Sequence, residues 1–234
     1  MSAAHDRPGD SPEAALQLAL DLTALDRAAD LVAQLSPVLD RIEVGTPLAL
    51  AAGLAAIDRI RPLARPGAVI VADVKICDAG EKIARSAYAA GADVVTVVAA
   101  AIDEITWRGV LAAAADRGHR DGDPAPVVVD TVGGPPDPVA LGMLAAVAAE
   151  AGVPVDLCLH RPKIGSPGFA DLIRPLAGHR RGFGQLAVAG KLVPAEVRPA
   201  LAAGFDPLIV GSAVTGADDP VAVWDAFRAE ARRR

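Results

Sequence analysis

The chain has 234 residues, 52% of them hydrophobic and 22% charged, with a formal net charge of −6; this composition belongs to a globular protein with a sizeable core, not to a disordered chain. A net-acidic sequence with 3% aromatic residues lacks the basic stripes and stacking rings that grip nucleic acid. The first ten residues carry no apolar core of a secretory signal, no apolar run reaches the ~18 residues of a membrane span, and two cysteines make neither a disulfide framework nor a zinc-ligand cluster, so a soluble cytoplasmic protein is expected.

Residues 1–13 are polar, with Pro8, Gly9 and Pro12, and read as a loose tail. From there, short runs rich in Val, Ile and Leu follow in order: Leu16 to Asp21, Arg41 to Gly45, Ala68 to Lys75, Asp93 to Val98, Pro126 to Asp130, Val155 to His160, Gly184 to Gly190 and Pro207 to Gly211. Their starts are spaced 23 to 33 residues apart. Near-continuous apolar runs of this length suit strands buried on both faces, as in a parallel sheet covered by helices. The intervals read as helices. Leu25 to Leu39 puts Leu25, Ala28, Ala29, Val32 and Leu35 on one face, and Gly80 to Ala90, Ile105 to Arg117 and Pro138 to Ala151 behave similarly. Gly91, Gly118, Gly152 and Gly204 mark helix ends, and residues 119–125 and 133–138 read as surface loops. Eight strand–helix units over residues 14–234 predict a single α/β domain, a (β/α)8 TIM barrel. The competing architecture is an open doubly wound sheet.

In such a barrel the chemistry sits where strands end and βα loops begin. The strand ends here are unusually charged: Asp21, Glu43, Asp73 with Lys75 and Asp78, Asp130, and His160 with Arg161. Asp73 and Lys75 are two apart, so strand alternation points both to one side, and the lumen is the side that tolerates them. Any single one could be a satisfied salt bridge or loop cap, but buried charges cost too much to be gathered for packing alone. Asp21, Glu43, Asp73 and Asp78 outnumber Lys75 in one mouth, which would repel an anionic substrate unless a divalent cation intervened. Carboxylate donors favour Mg2+, or Mn2+, over zinc, and Glu43 and Asp73 on adjacent strands are the best-placed ligands. The same carboxylates hold Lys75 protonated, suited to donating a proton to an enolate. After the last two strands, Gly190-Lys191 and Gly211-Ser212 allow backbone N–H groups to approach an anion, where barrels frequently bind phosphate.

The segment ADVKICDAG (Ala72 to Gly80) contains the Asp-x-Lys-x-x-Asp signature of the orotidine 5'-phosphate decarboxylase superfamily. With LQLALD, IEVGTPL and VVVD, the chain most resembles its 3-hexulose-6-phosphate synthase and 3-keto-L-gulonate-6-phosphate decarboxylase branch, from about Leu16 to Trp224. Orotidine decarboxylases carry a lysine where this chain has Glu43 and work without metal, so Glu43 argues against orotidine chemistry. The resemblance implies Mg2+ on Glu43 and Asp73, a 1,2-enediolate intermediate, and Asp21 and Lys75 lining the site. It implies proton handling by His160, and a homodimer in which Asp78 reaches the neighbouring subunit's site. Asp130 matches an acidic position that is aspartate in the synthases and glutamate in the gulonate decarboxylases. It therefore leans toward reversible aldol addition of formaldehyde to D-ribulose 5-phosphate.

Other positions depart from the resemblance. The synthases' Thr-Gly after the strand-six histidine is here Arg161-Pro162-Lys163, and Lys163 falls where gulonate decarboxylases place an arginine. The usual Gly-Gly after strand seven is Gly190-Lys191, and the usual arginine after strand eight is Ser212, so Lys191 is expected to replace the missing phosphate charge. Altered phosphate loops also keep open a non-catalytic barrel that binds a sugar phosphate. Cys77 and Cys158 read as small packing residues, His119 and His179 as surface residues, and Trp224 with Phe227 as the apolar face of the last helix.

Overall fold

The computed structural model describes residues 14–121, 124–132, 137–161, 168–176, 178 and 180–232. The expected tail, residues 133–136, Lys163 and His179 lie outside the described residues, as does the side chain of His119. Eight parallel strands close in chain order: β1 (Leu16–Ala19), β2 (Arg41–Val44), β3 (Val69–Ile76), β4 (Val94–Val98), β5 (Val127–Asp130), β6 (Val155–His160), β7 (Leu186–Ala189) and β8 (Leu208–Val210). Pairing of β8 back onto β1, with Leu18 opposite Val210, closes the ring and excludes the open sheet. The molecule is a (β/α)8 TIM barrel.

Among the described residues the outer layer holds α1 (Leu25–Leu35), α2 (Thr46–Ala52), α3 (Ala55–Ile60), α4 (Gly80–Ala89), α5 (Glu104–Asp121) and α6 (Pro138–Ala151). It continues with α7 (Phe169–Ile173), α8 (Val197–Ala202), α9 (Ser212–Thr215) and α10 (Pro220–Ala231). None is long and apolar enough to cross a membrane. Asp137 caps α6 by accepting from the Val139 N–H at 3.0 Å, and Asp219 caps α10 by accepting from Ala222 at 3.0 Å, each followed by a proline whose fixed φ suits the first turn.

One helix end differs from expectation. Gly91, Gly152 and Gly204 have positive φ where helices stop, but Gly118 is helical and α5 runs on to Asp121, through part of the expected 119–125 loop. Tertiary contacts hold this last turn. Arg117 pairs with Asp93 at 2.9 Å and stacks on the Tyr88 ring at 5.5 Å, which outweighs the weak helix propensity of one glycine. The α4 and α5 backbones also pack unusually close, since a Cβ at Gly80 would meet the Thr106 carbonyl oxygen at 2.2 Å.

The apolar interior has two shells. The larger lies between sheet and helices and includes Trp107, Phe205, Trp224 and Phe227, so the last helix presents the face its sequence predicts. The smaller fills the lumen with Val71, Val94, Val128, Cys158, Ala187 and Ala189. Cys158, Ala187 and Ala189 are small for a lumen that barrels commonly fill with bulky branched residues throughout, and a cavity of about 520 Å³ stays open inside the ring.

Candidate active site

The cavity collects polar side chains from the C-terminal ends of successive strands. On β3 the signature segment is irregular: five residues, Ala72 to Ile76, run against three of β4, Val95 to Val97. Lys75 sits in this bulge with φ 43°, a left-handed conformation costing a non-glycine residue about 1–2 kcal/mol. Asp73 and Lys75 do both face the lumen, but the bulge, rather than simple alternation, aims the lysine.

Buried Asp73 is fully engaged. Its Oδ1 accepts from Lys75 Nζ and from Thr96 Oγ1, both at 2.9 Å, and its Oδ2 lies 2.7 Å from Thr46 Oγ1 and 3.3 Å from the Thr46 N–H. Lys75 Nζ also donates to Asp130 Oδ2 at 2.7 Å. Burial alone would lower the lysine pKa, but the Asp73 and Asp130 carboxylates outweigh it and raise the pKa, so the ammonium persists at neutral pH. Asp130 in turn accepts from the Val132 N–H at 2.8 Å and lies 3.0 Å from His160 Nε2. Burial pushes the Asp130 pKa up, while His160 and Lys75 more than reverse that and keep it ionised.

Glu43 is enclosed on the other side of the lumen. Gln17 Nε2 donates to its Oε2 at 2.6 Å, and Arg41 Nε donates to Gln17 Oε1 at 3.1 Å. Burial first, then the charge of Asp73, pushes the Glu43 pKa up to about 8, against the stabilising Gln17 bond. Asp21 stands at the rim, where Gly45 and Gly211 make room for it: a Cβ at these positions would meet its carboxylate at 2.3 and 3.0 Å. Desolvation by the wall and then Asp73 raise its pKa as well. Glu43, Asp73 and Asp21 crowd one lumen as an all-oxygen donor set of the kind a hard divalent cation takes, so Glu43 and Asp73 fit Mg2+ or Mn2+.

On the opposite wall, Gly190 adopts φ 110° and passes so close to β6 that a Cβ would lie 2.4 Å from the Arg161 carbonyl oxygen. Lys191 lines the cavity beside Gly190, Gly211 and Ser212. Arg161 does not belong to the ring of site charges. Its guanidinium turns away to pair with Glu196 at 2.5 and 2.8 Å, and it reaches the Gly190 and Lys191 carbonyls at 3.3 Å, bracing the loop after β7.

The structure thus brings Asp21, Glu43, Asp73, Lys75, Asp130, His160, Gly190, Lys191, Gly211 and Ser212 around one cavity. Asp78 is the exception: it is exposed outside this cavity, its Oδ1 accepting from the Ala79 N–H at 2.6 Å, so the charge sum of the mouth includes Asp130 in its place. Sequence reasoning missed Gln17, Arg41, Thr46, Thr96 and Asp156, which also line the cavity. Counting back two residues from Glu43 and four from His160 reaches Arg41 and Asp156, and Thr96 is the one polar residue in the run VVTVV.

Residues 14–148 match the model of the orotidine 5'-phosphate decarboxylase / HUMPS family. A 3-hexulose-6-phosphate synthase of Mycobacterium gastri is 35% identical over 214 residues, covering 92% of this chain and 98% of the relative. Among solved structures, a 3-hexulose-6-phosphate synthase superposes with a TM-score of 0.77 at 30% identity, covering 92% of this chain and 99% of that one. The 3-keto-L-gulonate-6-phosphate decarboxylase of Vibrio cholerae superposes with a TM-score of 0.75 at 26% identity, covering 95% of this chain and 99% of that one. The chain is an enzyme of the lyase class, and it belongs to the orotidine 5'-phosphate decarboxylase / HUMPS family.

Proposed function

We propose that this protein is a Mg2+-dependent lyase of a phosphorylated ketose that works through a 1,2-enediolate, and that its reaction is the reversible aldol addition of formaldehyde to D-ribulose 5-phosphate. The observation that carries this reading is the Lys75 ammonium held between Asp73 and Asp130, in one cavity with Glu43 and His160. Glu43 and Asp73 would hold Mg2+, or Mn2+, which when bound supplies electrostatic stabilisation of negative charge on substrate oxygens.

The chain's own residues supply the rest. An Nε2–H tautomer of His160 donates to Asp130 and leaves Nδ1 to take the C1 proton of the ketose. The C1–H electron pair moves into the C1–C2 bond and the C2 carbonyl pair moves onto its oxygen, where the Lys75 ammonium donates a hydrogen bond. C1 then bonds to the formaldehyde carbon, the C2 carbonyl re-forms, and the new alkoxide takes a proton back from His160. Lys191, Gly190, Gly211 and Ser212 line this cavity, and the lysine with nearby backbone N–H groups would receive the phosphate.

The similarity to a gulonate decarboxylase favours a second reading, in which the same enediolate is left by loss of CO2 from 3-keto-L-gulonate 6-phosphate. We also infer a homodimer, because Asp78 is exposed outside its own cavity, as a residue serving a neighbouring subunit's site would be. The test is to assay ribulose 5-phosphate with formaldehyde beside 3-keto-L-gulonate 6-phosphate, each with Mg2+ and with a chelator. Formaldehyde fixation that needs Mg2+ is expected. CO2 release alone selects the second reading, and binding of a phosphorylated sugar without either reaction overturns both in favour of a non-catalytic barrel.

A further inference from the structure

We propose that Asp130, Cys158 and His160 form a second cation site, selective for a borderline-soft divalent ion such as Zn2+ and separate from the Glu43–Asp73 pair. Each residue offers one ligand atom, and these atoms all lie within 4.8 Å of one another. The barrel register explains the grouping. Asp130 pairs directly opposite Cys158 on β6, and His160 follows two residues later on the same face of that strand. Zinc bonds of about 2.0 Å to oxygen, 2.0–2.1 Å to nitrogen and 2.3 Å to sulfur imply tetrahedral ligands separated by roughly 3.3–3.8 Å. The Asp130–His160 separation is 3.0 Å and no pair exceeds 4.8 Å, so side-chain movements of about 1 Å bring the three donors to zinc-bonding separations.

Charge and ligand type agree with this assignment. One carboxylate and one thiolate neutralise a doubly charged ion, the imidazole adds a neutral donor, and the open cavity supplies the fourth position. Coordination replaces the Cys158 thiol proton, which leaves to solvent. Lys75 keeps its bond to Asp73 when Asp130 turns toward the ion. A thiolate donor discriminates against Mg2+, whereas the carboxylates on β2 and β3 suit it, so one cavity presents two donor sets of different softness. Sequence distance concealed the site: its ligands come from two strands, and neither cysteine has the spacing of a zinc motif. An ion bound there withdraws His160 and Asp130 from proton transfer, so Zn2+ inhibits turnover. That consequence rests on the proposed function; the binding itself does not.

The test uses untagged full-length protein in excess Mg2+, with Co2+ as the spectroscopic probe and Zn2+ as competitor. Cys77→Ala leaves Cys158 as the one thiol, so a near-ultraviolet thiolate-to-cobalt band in that variant, bleached by Zn2+, reports the site without altering it. The band is expected there and is expected to vanish in Cys158→Ala, with the fold checked by circular dichroism. His160→Gln should lower Co2+ affinity at least about tenfold, since even outer partners of metal ligands are worth 10- to 100-fold. A Cys77→Ala protein without the band overturns the proposal, as does a band that survives in Cys158→Ala. A band that forms as expected while Zn2+ leaves turnover unchanged upholds the site and overturns the role given to His160.

Discussion

Lys75 Nζ lies 2.7 Å from Asp130 Oδ2, joining β3 to β5 across the barrel lumen. Because Asp130 also meets His160 and Lys75 also meets Asp73, the four side chains form one line along the cavity wall, with the ammonium between two carboxylates and the imidazole at the end. Two consequences follow from that line. The ammonium is fixed as a donor and is unsuited to act as a base, and the imidazole is oriented through its Nε2.

Lys75→Ala removes the cation from between two buried carboxylates. Loss of an essential acid or hydrogen-bond donor should lower kcat by about 10²–10⁴. Calorimetry should still find binding of a phosphorylated sugar, because Lys191 and the loops after β7 and β8 are untouched. Loss of binding together with turnover would assign Lys75 to substrate capture instead.

Glu43 makes stability depend on pH. Its folded pKa of about 8 lies above its ordinary value of 4.5, so between those values the native state holds a proton that the unfolded chain has released. Stability of the metal-free protein therefore falls as pH rises through that window. Glu43→Gln should flatten the slope of Tm against pH, and Mg2+ should raise Tm most near the upper end. A wild-type slope of opposite sign would contradict the assigned burial.

Gln17 orients Glu43 through a 2.6 Å hydrogen bond and is itself held by Arg41. Gln17→Leu should weaken Mg2+ binding by about 10- to 100-fold, the range for partners that orient a ligand. The change should appear in titration of metal binding at constant pH, with Tm in chelator changed much less.

Lys191→Ala should weaken binding of a phosphorylated ligand by about 10- to 150-fold, since charge-assisted hydrogen bonds contribute about 1.5–3 kcal/mol. Arg161 cannot replace it, being bound to Glu196 and the loop carbonyls. Unchanged affinity in Lys191→Ala would show that the phosphate lies elsewhere.

The barrel is legible in the sequence because a strand covered on both faces must be apolar nearly throughout, and all eight runs became strands. The site was legible wherever a charge sits at the end of such a run, as at Glu43, Asp73, Asp130 and His160. What escaped has identifiable causes. Gly118 reads locally as a stop, yet Arg117 is anchored to Asp93, which lies 24 residues back, just ahead of β4. Arg161 follows His160 directly, and its partner Glu196 lies 35 residues away. The bulge that turns Lys75 inward depends on pairing with β4, which periodicity along one strand does not encode.

The proposed reaction requires that this cavity, with a divalent cation on Glu43 and Asp73, remove the C1 proton of a ketose phosphate. Incubating the protein with D-ribulose 5-phosphate in D2O without formaldehyde, and following the C1 proton resonance by NMR, tests it directly. Loss of that resonance with Mg2+ present, abolished by chelator and by Lys75→Ala, is the predicted result. A bound sugar phosphate whose C1 protons persist in the presence of Mg2+, or exchange that proceeds unchanged in Lys75→Ala, would contradict it.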